Sequence, residues 1–185
     1  MQALVEAGLP VAAVISNRAD AVGLEFARSH TIPTAVIDHA KFAGREAFDE
    51  ALGREIERHR PRLVALAGFM RVLTPGFVAR YPNRLLNIHP SLLPAFPGLH
   101  AQRQALEHGV KVAGATVHFA DEAVDSGPIV MQAAVPVAPD DTEETLSARI
   151  LAEEHRIYPE AIRLFAEGRL RIVGRQVIVN AEARR

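Results

Sequence analysis

Asn87 and His89 stand two residues apart at the end of an apolar run, Leu85 to His89, and a loop with prolines at 90, 94 and 97 follows before Gly98. Residues two apart on a strand point to the same face, so an amide donor and an imidazole can be presented to one reacting atom. The prolines limit backbone freedom and would hold that geometry. The plainer alternative is that both polar residues cap a strand end beside a rigid surface loop, since polar groups at strand ends are common. A second segment, Gly114 to Pro128, reads as a strand running into an acidic turn. Asp125 precedes Ser-Gly-Pro, where a tight turn could aim its carboxylate back at the sheet. A carboxylate beside an imidazole orients it and favours its protonated form. His118 alternates toward one face of its strand, as a supporting wall of the site or as a satisfied core histidine. Asp121 and Glu122 read as solvated turn residues whose backbone matters more than their charge.

His89, His118 and Asp125 are residue types that ligate zinc or iron, but no His-x-x-x-His or His-x-x-Glu spacing supports a metal. Neither a Gly-x-Gly-x-x-Gly fingerprint nor a Gly-Lys-Ser/Thr phosphate loop occurs, and no serine lies in a nucleophile-elbow context.

The elements that must position these residues are short apolar runs alternating with amphipathic stretches. Pro10 to Ser16, Thr34 to Ile37, Leu63 to Ala67 and Leu85 to His89 read as buried strands. Gly23 to Ser29, Gly44 to Arg58 and Pro75 to Arg80 have helical spacing, as in Phe48, Leu52 and Ile56. Such alternation predicts an α/β fold, an open, mostly parallel sheet with helices on both faces. After Gly114 two strands, Ala115 to Phe119 and Ile129 to Val137, follow without a helix, so the C-terminal half is expected to be partly antiparallel. A long helix is predicted from Glu143 to Glu167, capped by Asp141-Thr142 and kinked at Pro159, and Gly174-Arg175 turns a last hairpin, Leu170 to Val179. Residues 180–185 are expected to fray.

A chain of 185 residues, 49% hydrophobic, fits one domain. With 21 basic and 22 acidic side chains it has no electrostatic footprint for nucleic acid or anionic lipid, so its partners are expected to be small molecules. There is no apolar run of the ~20 residues that span a membrane, and the first residues lack the pattern of a signal peptide. The absence of cysteine excludes disulfides and thiolate metal sites and agrees with a cytoplasmic setting.

The run Asn87-Ile-His-Pro-Ser-Leu-Leu-Pro, together with Val117-His-Phe and Asp125-Ser-Gly-Pro-Ile, resembles the active-site signature of the folate-dependent formyltransferases. Ala67-Gly-Phe-Met-Arg-Val-Leu73, Pro97-Gly-Leu-His100 and Glu153-Glu-His-Arg-Ile-Tyr-Pro159 are most similar to the glycinamide ribonucleotide branch, and the similarity runs from Gln2 to Ile172. The resemblance implies a Rossmann-like fold and transfer of a formyl group from 10-formyltetrahydrofolate, as cosubstrate, to the amine of glycinamide ribonucleotide in purine biosynthesis, with no metal. It implies that Asn87, His89 and Asp125 are catalytic, with Asn87 and protonated His89 donating to the tetrahedral oxyanion and Asp125 pairing with His89 and relaying a proton. It places Arg45, Met70, Arg71, Val72, Leu73, Asn87 and the stretch Asp121, Glu122, Ala123, Val124 and Asp125 on the folate. Pro90, Leu151, Ala152, Glu153 and Glu154 fall to the ribonucleotide, Glu154 accepting from the ribose hydroxyls. By the same resemblance the chain can form a loose homodimer. The alternatives are a sugar-nucleotide formyltransferase, a formyltetrahydrofolate hydrolase or an inactive folate-binding remnant.

The family pattern begins with a strand and a Gly-Ser-Asn loop that holds the substrate phosphate. Met1 to Gly8 matches the middle and end of the helix that follows, so strand and loop are expected to be missing and phosphate binding is unassigned. The first strand of such a sheet lies in its interior, so two neighbouring strands should each lack a partner.

Overall fold

The computed structural model describes residues 1–181, so the fraying expected of 180–185 falls mostly outside the described residues. A short helix, α1 (Gln2–Glu6), leads into β1 (Val14–Ser16), α2 (Val22–Ser29), β2 (Thr34–Val36), a 3₁₀ turn (His39–Lys41) and α3 (Arg45–Arg58). Then come β3 (Val64–Leu66), α4 (Pro75–Arg80), β4 (Leu85–His89), α5 (Ala101–Glu107), β5 (Val112–Phe119), β6 (Ile129–Pro136), α6 (Glu143–Ala166), β7 (Leu170–Val173) and β8 (Gln176–Val179). The fold is α/β, with parallel pairing of β1 to β2 and of β3 to β4, and antiparallel pairing of β4 to β5 and β5 to β6. The apolar periodicity located α2, α3, α4, β4 and α6 to within a residue or two. It missed α5, whose seven residues bury only two alanines, Ala101 and Ala105.

The strands fall into two sheets, β1-β2 and β3-β4-β5-β6-β8-β7. Among the described residues β1 and β3 therefore each pair on one side only. The first runs are shorter than their apolar stretches, and no residue of β1, β2 or β3 is fully buried.

β4 separates two cores. Leu86 and Ile88 face Val117, Phe119 and the α6 residues Leu146, Ile150 and Ile157, whereas Leu85 faces Phe48, Leu52 and Ile56 of α3, Phe77 of α4 and Tyr81 just after it. Alternation along the strand then puts Asn87 and His89 on the α3/α4 side, beyond the reach of Leu85. α6 starts on a capping box between Thr142 and Thr145 and continues unbroken through the buried Pro159. It is fastened to the sheet by Tyr158, whose hydroxyl is shared between the carbonyls of Leu66 and Leu86, 2.8 Å from each. Burial pushes the Tyr158 phenol upward, so it stays a donor.

A polar tie fixes the start of α4. Asp49 lies on the buried face of α3, 4% exposed, and its carboxylate accepts from the Thr74 N–H at 2.7 Å. Thr74 is the N-cap, its hydroxyl accepting from the Phe77 N–H, and Pro75 opens the first turn. Asp49→Ala leaves the buried Thr74 donor unpaired and is expected to cost about 1–3 kcal/mol in urea unfolding. Asp49→Asn keeps an acceptor and should cost less. An unchanged midpoint for the alanine variant would show that the tie is unimportant.

Candidate active site

The ladder between β4 and β5 sets Asn87 opposite His118 and His89 opposite Thr116. All four side chains share one face. β5 leaves the sheet at Phe119, and the chain returns at Pro128, whose carbonyl accepts from the Phe119 N–H at 2.9 Å. So close a return requires Gly127, because a Cβ there would stand 1.8 Å from the Phe119 carbonyl oxygen. Within this turn Asp125 has φ of 50°, in the left-handed region that aspartate tolerates better than most residues, and its carboxylate points back over β4.

Asp125 is the hub. One oxygen, Oδ2, lies 3.3 Å from His89 Nδ1 and accepts from the Gly98 N–H at 2.7 Å. The other, Oδ1, lies 3.5 Å from both Asn87 Nδ2 and His118 Nε2. Asn87 Nδ2 is also 3.2 Å from His118 Nε2. His118 Nδ1 donates to the Phe119 carbonyl at 3.0 Å, so a neutral ring accepts from the Asn87 amide and a protonated ring donates to Asp125. His118 is a buried wall of the site, 2% exposed, and both sequence alternatives hold together: it is in the core and it supports the trio. Burial works to raise the Asp125 carboxyl, but the hydrogen bonds from His118 and Gly98 and the positive charge of His89 and His118 outweigh it and hold Asp125 below its ordinary value.

Both ring nitrogens of His89 are engaged within the protein. Its Nε2 meets the Phe96 carbonyl at 2.9 Å while Nδ1 faces Asp125, so both ring nitrogens face acceptors, a demand that only the imidazolium meets in full. A reacting oxygen must therefore share a proton already engaged, and the same holds for the Asn87 amide. Pro90 follows His89 and is half-buried.

The remaining expected residues flank this cluster. Met70 is 76% exposed and Val72 is half exposed, as is Val124 in the acidic turn, so three apolar side chains face outward there. Leu73 packs with Phe69 and Ala120 on the α3/α4 core, which draws the Met70–Leu73 segment toward the turn. The Arg71 guanidinium lies over the Phe48 ring at 5.1 Å. Arg45 opens α3 and is exposed. Asp121 corrects the expectation of a solvated charge: its carboxylate accepts from the Ser126 hydroxyl and the Ala123 N–H and so closes the turn, while Glu122 and Ala123 are exposed. Leu151 and Ala152 are exposed on α6, and Glu153 pairs with Arg156 at 2.6 Å. Glu154 is half-buried beside the Met1 ammonium, one turn before Tyr158 on the same helix face; it makes no contact with the trio among the described residues.

Thr116, Gln132, Tyr158, the Phe96 carbonyl and the Gly98 N–H were not singled out by sequence reasoning. Thr116 had a usable signal, its two-residue spacing from His118. Clefts of about 380 and 470 Å³, one against the C-terminal half of α6 and one between α3 and α4, contain none of the trio. No group of three or more His, Asp or Glu among the described residues could hold a metal ion, and no helix of the described residues is long and apolar enough to cross a membrane.

Residues 2–162 match the protein family described as Formyl transferase. The chain belongs to the formyl transferase family. It is 52% identical to the phosphoribosylglycinamide formyltransferase of Escherichia coli K12 over 88% of this chain and 76% of that protein. To the enzyme of the same name from Haemophilus influenzae it is 46% identical over the same shares. The crystal structure of glycinamide ribonucleotide transformylase 1 from Symbiobacterium toebii superposes with a TM-score of 0.95 at 58% identity, covering 97% of this chain and 87% of that one. The fold described above is that of a formyl transferase.

Glu154 supplies a pH test. Burial pushes its carboxyl up to about 7 from an ordinary 4.5, against the pull of the Met1 ammonium. A carboxyl raised in the folded state stabilises fully below its unfolded value, and that contribution is lost as pH rises through the folded value. The Tm of the wild type relative to Glu154→Gln is thus expected to fall between pH 4.5 and about 7 and to level off above. Parallel Tm curves for the two proteins would contradict the burial of this charge.

Proposed function

We propose that this chain transfers the formyl group of 10-formyltetrahydrofolate to the primary amine of glycinamide ribonucleotide, a step of purine biosynthesis, in the cytoplasm. The observation that carries it is the convergence of Asn87, His89 and Asp125 on one face at the ends of β4 and β5, in a member of the formyl transferase family. The names of the relatives supply the acceptor.

The chemistry follows from what the trio offers. The free amine attacks the formyl carbon, a C–N bond forms, and the carbonyl electron pair moves onto oxygen. Asn87 Nδ2–H and the His89 imidazolium share their protons with that oxyanion, a contact worth about 3–4 kcal/mol per donor where the donors are preorganised. Asp125 holds His89 in place through its contact with Nδ1. The proton released by the amine passes through this pair to the folate nitrogen as its bond to the formyl carbon breaks, leaving tetrahydrofolate and the formylated amine. All electrons stay paired and no metal or covalent enzyme intermediate takes part. The folate ring is assigned to the exposed apolar surface of Met70, Val72 and Val124, with the backbone of the Asp121–Asp125 turn closing over it and Arg45 toward its acidic tail. The ribose is assigned to Glu154, next to Leu151, Ala152 and Glu153, with Pro90 on the path between ribonucleotide and trio.

Formyl transfer is followed with both substrates in wild type and in Asn87→Ala, His89→Ala and Asp125→Ala. Each variant, confirmed folded, is expected to lose about 10²-fold or more in kcat. Three folded variants at wild-type kcat would contradict the mechanism. Binding of a deazafolate inhibitor without any turnover by the wild type would instead mark a folate-binding remnant.

A further inference from the structure

Across the ladder from His89 stands Thr116, fully buried, with a hydroxyl that the chemistry above does not use. That hydroxyl donates to the Ser91 carbonyl at 2.7 Å and accepts from the Leu93 N–H at 3.0 Å and from Gln132 Nε2 at 2.9 Å. One proton and two lone pairs are thereby all in use. Gln132, the neighbour of Thr116 on β6, also donates to the Leu93 carbonyl at 3.0 Å. The two side chains thus grip Ser91 and Leu93 at the start of the loop that leaves His89.

The loop is packed down as well as tied. A Cβ at Gly114, one alternation before Thr116, would stand 2.8 Å from Leu92 Cδ2 and 2.0 Å from the Ala133 carbonyl oxygen. Beyond Leu93 the Ser91 hydroxyl donates to the Ala95 carbonyl, and the Ala95 N–H donates to the Leu92 carbonyl. The loop then delivers two backbone groups to the site, the Phe96 carbonyl to His89 and the Gly98 N–H to Asp125. Phe96 has φ of 53°, unfavourable for a bulky residue, so its conformation is imposed by what surrounds it.

We propose that Thr116 is a positioning residue for the reaction: its hydroxyl fixes the 91–98 loop so that the Phe96 carbonyl and the Gly98 N–H hold His89 and Asp125 in the geometry that transfers the formyl group. This rests on the proposed role of His89 and Asp125. Thr116→Val removes the hydroxyl at nearly constant shape, leaves the Ser91 carbonyl and the Leu93 N–H buried without a partner, and lets the loop shift. A misplacement of about 1 Å at a reacting group can lower a rate about 10²-fold.

The test is steady-state formyl transfer by the full chain, well below the measured Tm of each variant. Thr116→Val is expected to lower kcat by about 10- to 100-fold while KM for both substrates stays within about twofold, and Thr116→Ser, which keeps the hydroxyl, is expected to recover most of the rate. A merely structural threonine would lower Tm and leave kcat alone. Wild-type kcat in Thr116→Val, or a Thr116→Ser variant as slow as Thr116→Val, would overturn the proposal. If Thr116→Val does not fold, Gln132→Leu decides: it loosens the same loop from the more exposed strand, a lowered kcat supports the proposal and an unchanged kcat overturns it. A wild type without turnover, or His89→Ala at full rate, would instead defeat the proposed function itself.

Discussion

In the ladder of β4 and β5, Asn87 faces His118 and His89 faces Thr116, and a one-residue slip of β4 would turn Asn87 and His89 to the opposite face, away from His118 and Thr116. The register is held by apolar contacts on that opposite face, where Leu86 meets Phe119 and Ile88 meets Val117 under α6. Burial of Leu86, Val117 and Phe119 therefore decides where the polar side chains lie. The core fixes the site without any of its residues belonging to it.

On this face a single carboxylate gathers four polar groups. Asp125 is reached by His89, Asn87, His118 and the Gly98 N–H, and they arrive from β4, β5 and the proline loop. Its own turn is closed by Asp121 on Ser126, and Arg175 of the C-terminal hairpin donates to the Ser126 carbonyl at 2.6 Å. A negative charge in so enclosed a place is tolerated because each oxygen is hydrogen-bonded. The electrostatics favour an ionised Asp125.

Strand β4 was legible residue for residue, because its apolar run ends sharply at two polar residues and the buried Leu85 and Leu86 leave no choice of element. The trio was legible for the same reason, as polar side chains at a strand end and an aspartate before Ser-Gly-Pro. What escaped were groups without a letter of their own. The Phe96 carbonyl and the Gly98 N–H are backbone atoms, and no pattern in the sequence announces that the loop folds back on the strand it has just left. Asp49 escaped because acidic residues on helices are usually solvated, yet its place beside Phe48 on the apolar face of α3 was a signal. β1, β2 and β3 were read longer than they are, since an apolar run extends a strand only where a neighbour pairs with it, and β1 and β3 each pair on one side.

The central claim is that His89 and Asp125 act as one unit. It is tested most directly by a double-mutant cycle on kcat, with His89→Ala, Asp125→Ala and the double variant all confirmed folded. Residues that act as a unit are strongly non-additive, so the double variant is expected to be about as slow as the slower single variant. A double variant slowed by the full product of the two single effects would mean that the two side chains contribute independently, and that their contact in the structure is not what drives the transfer.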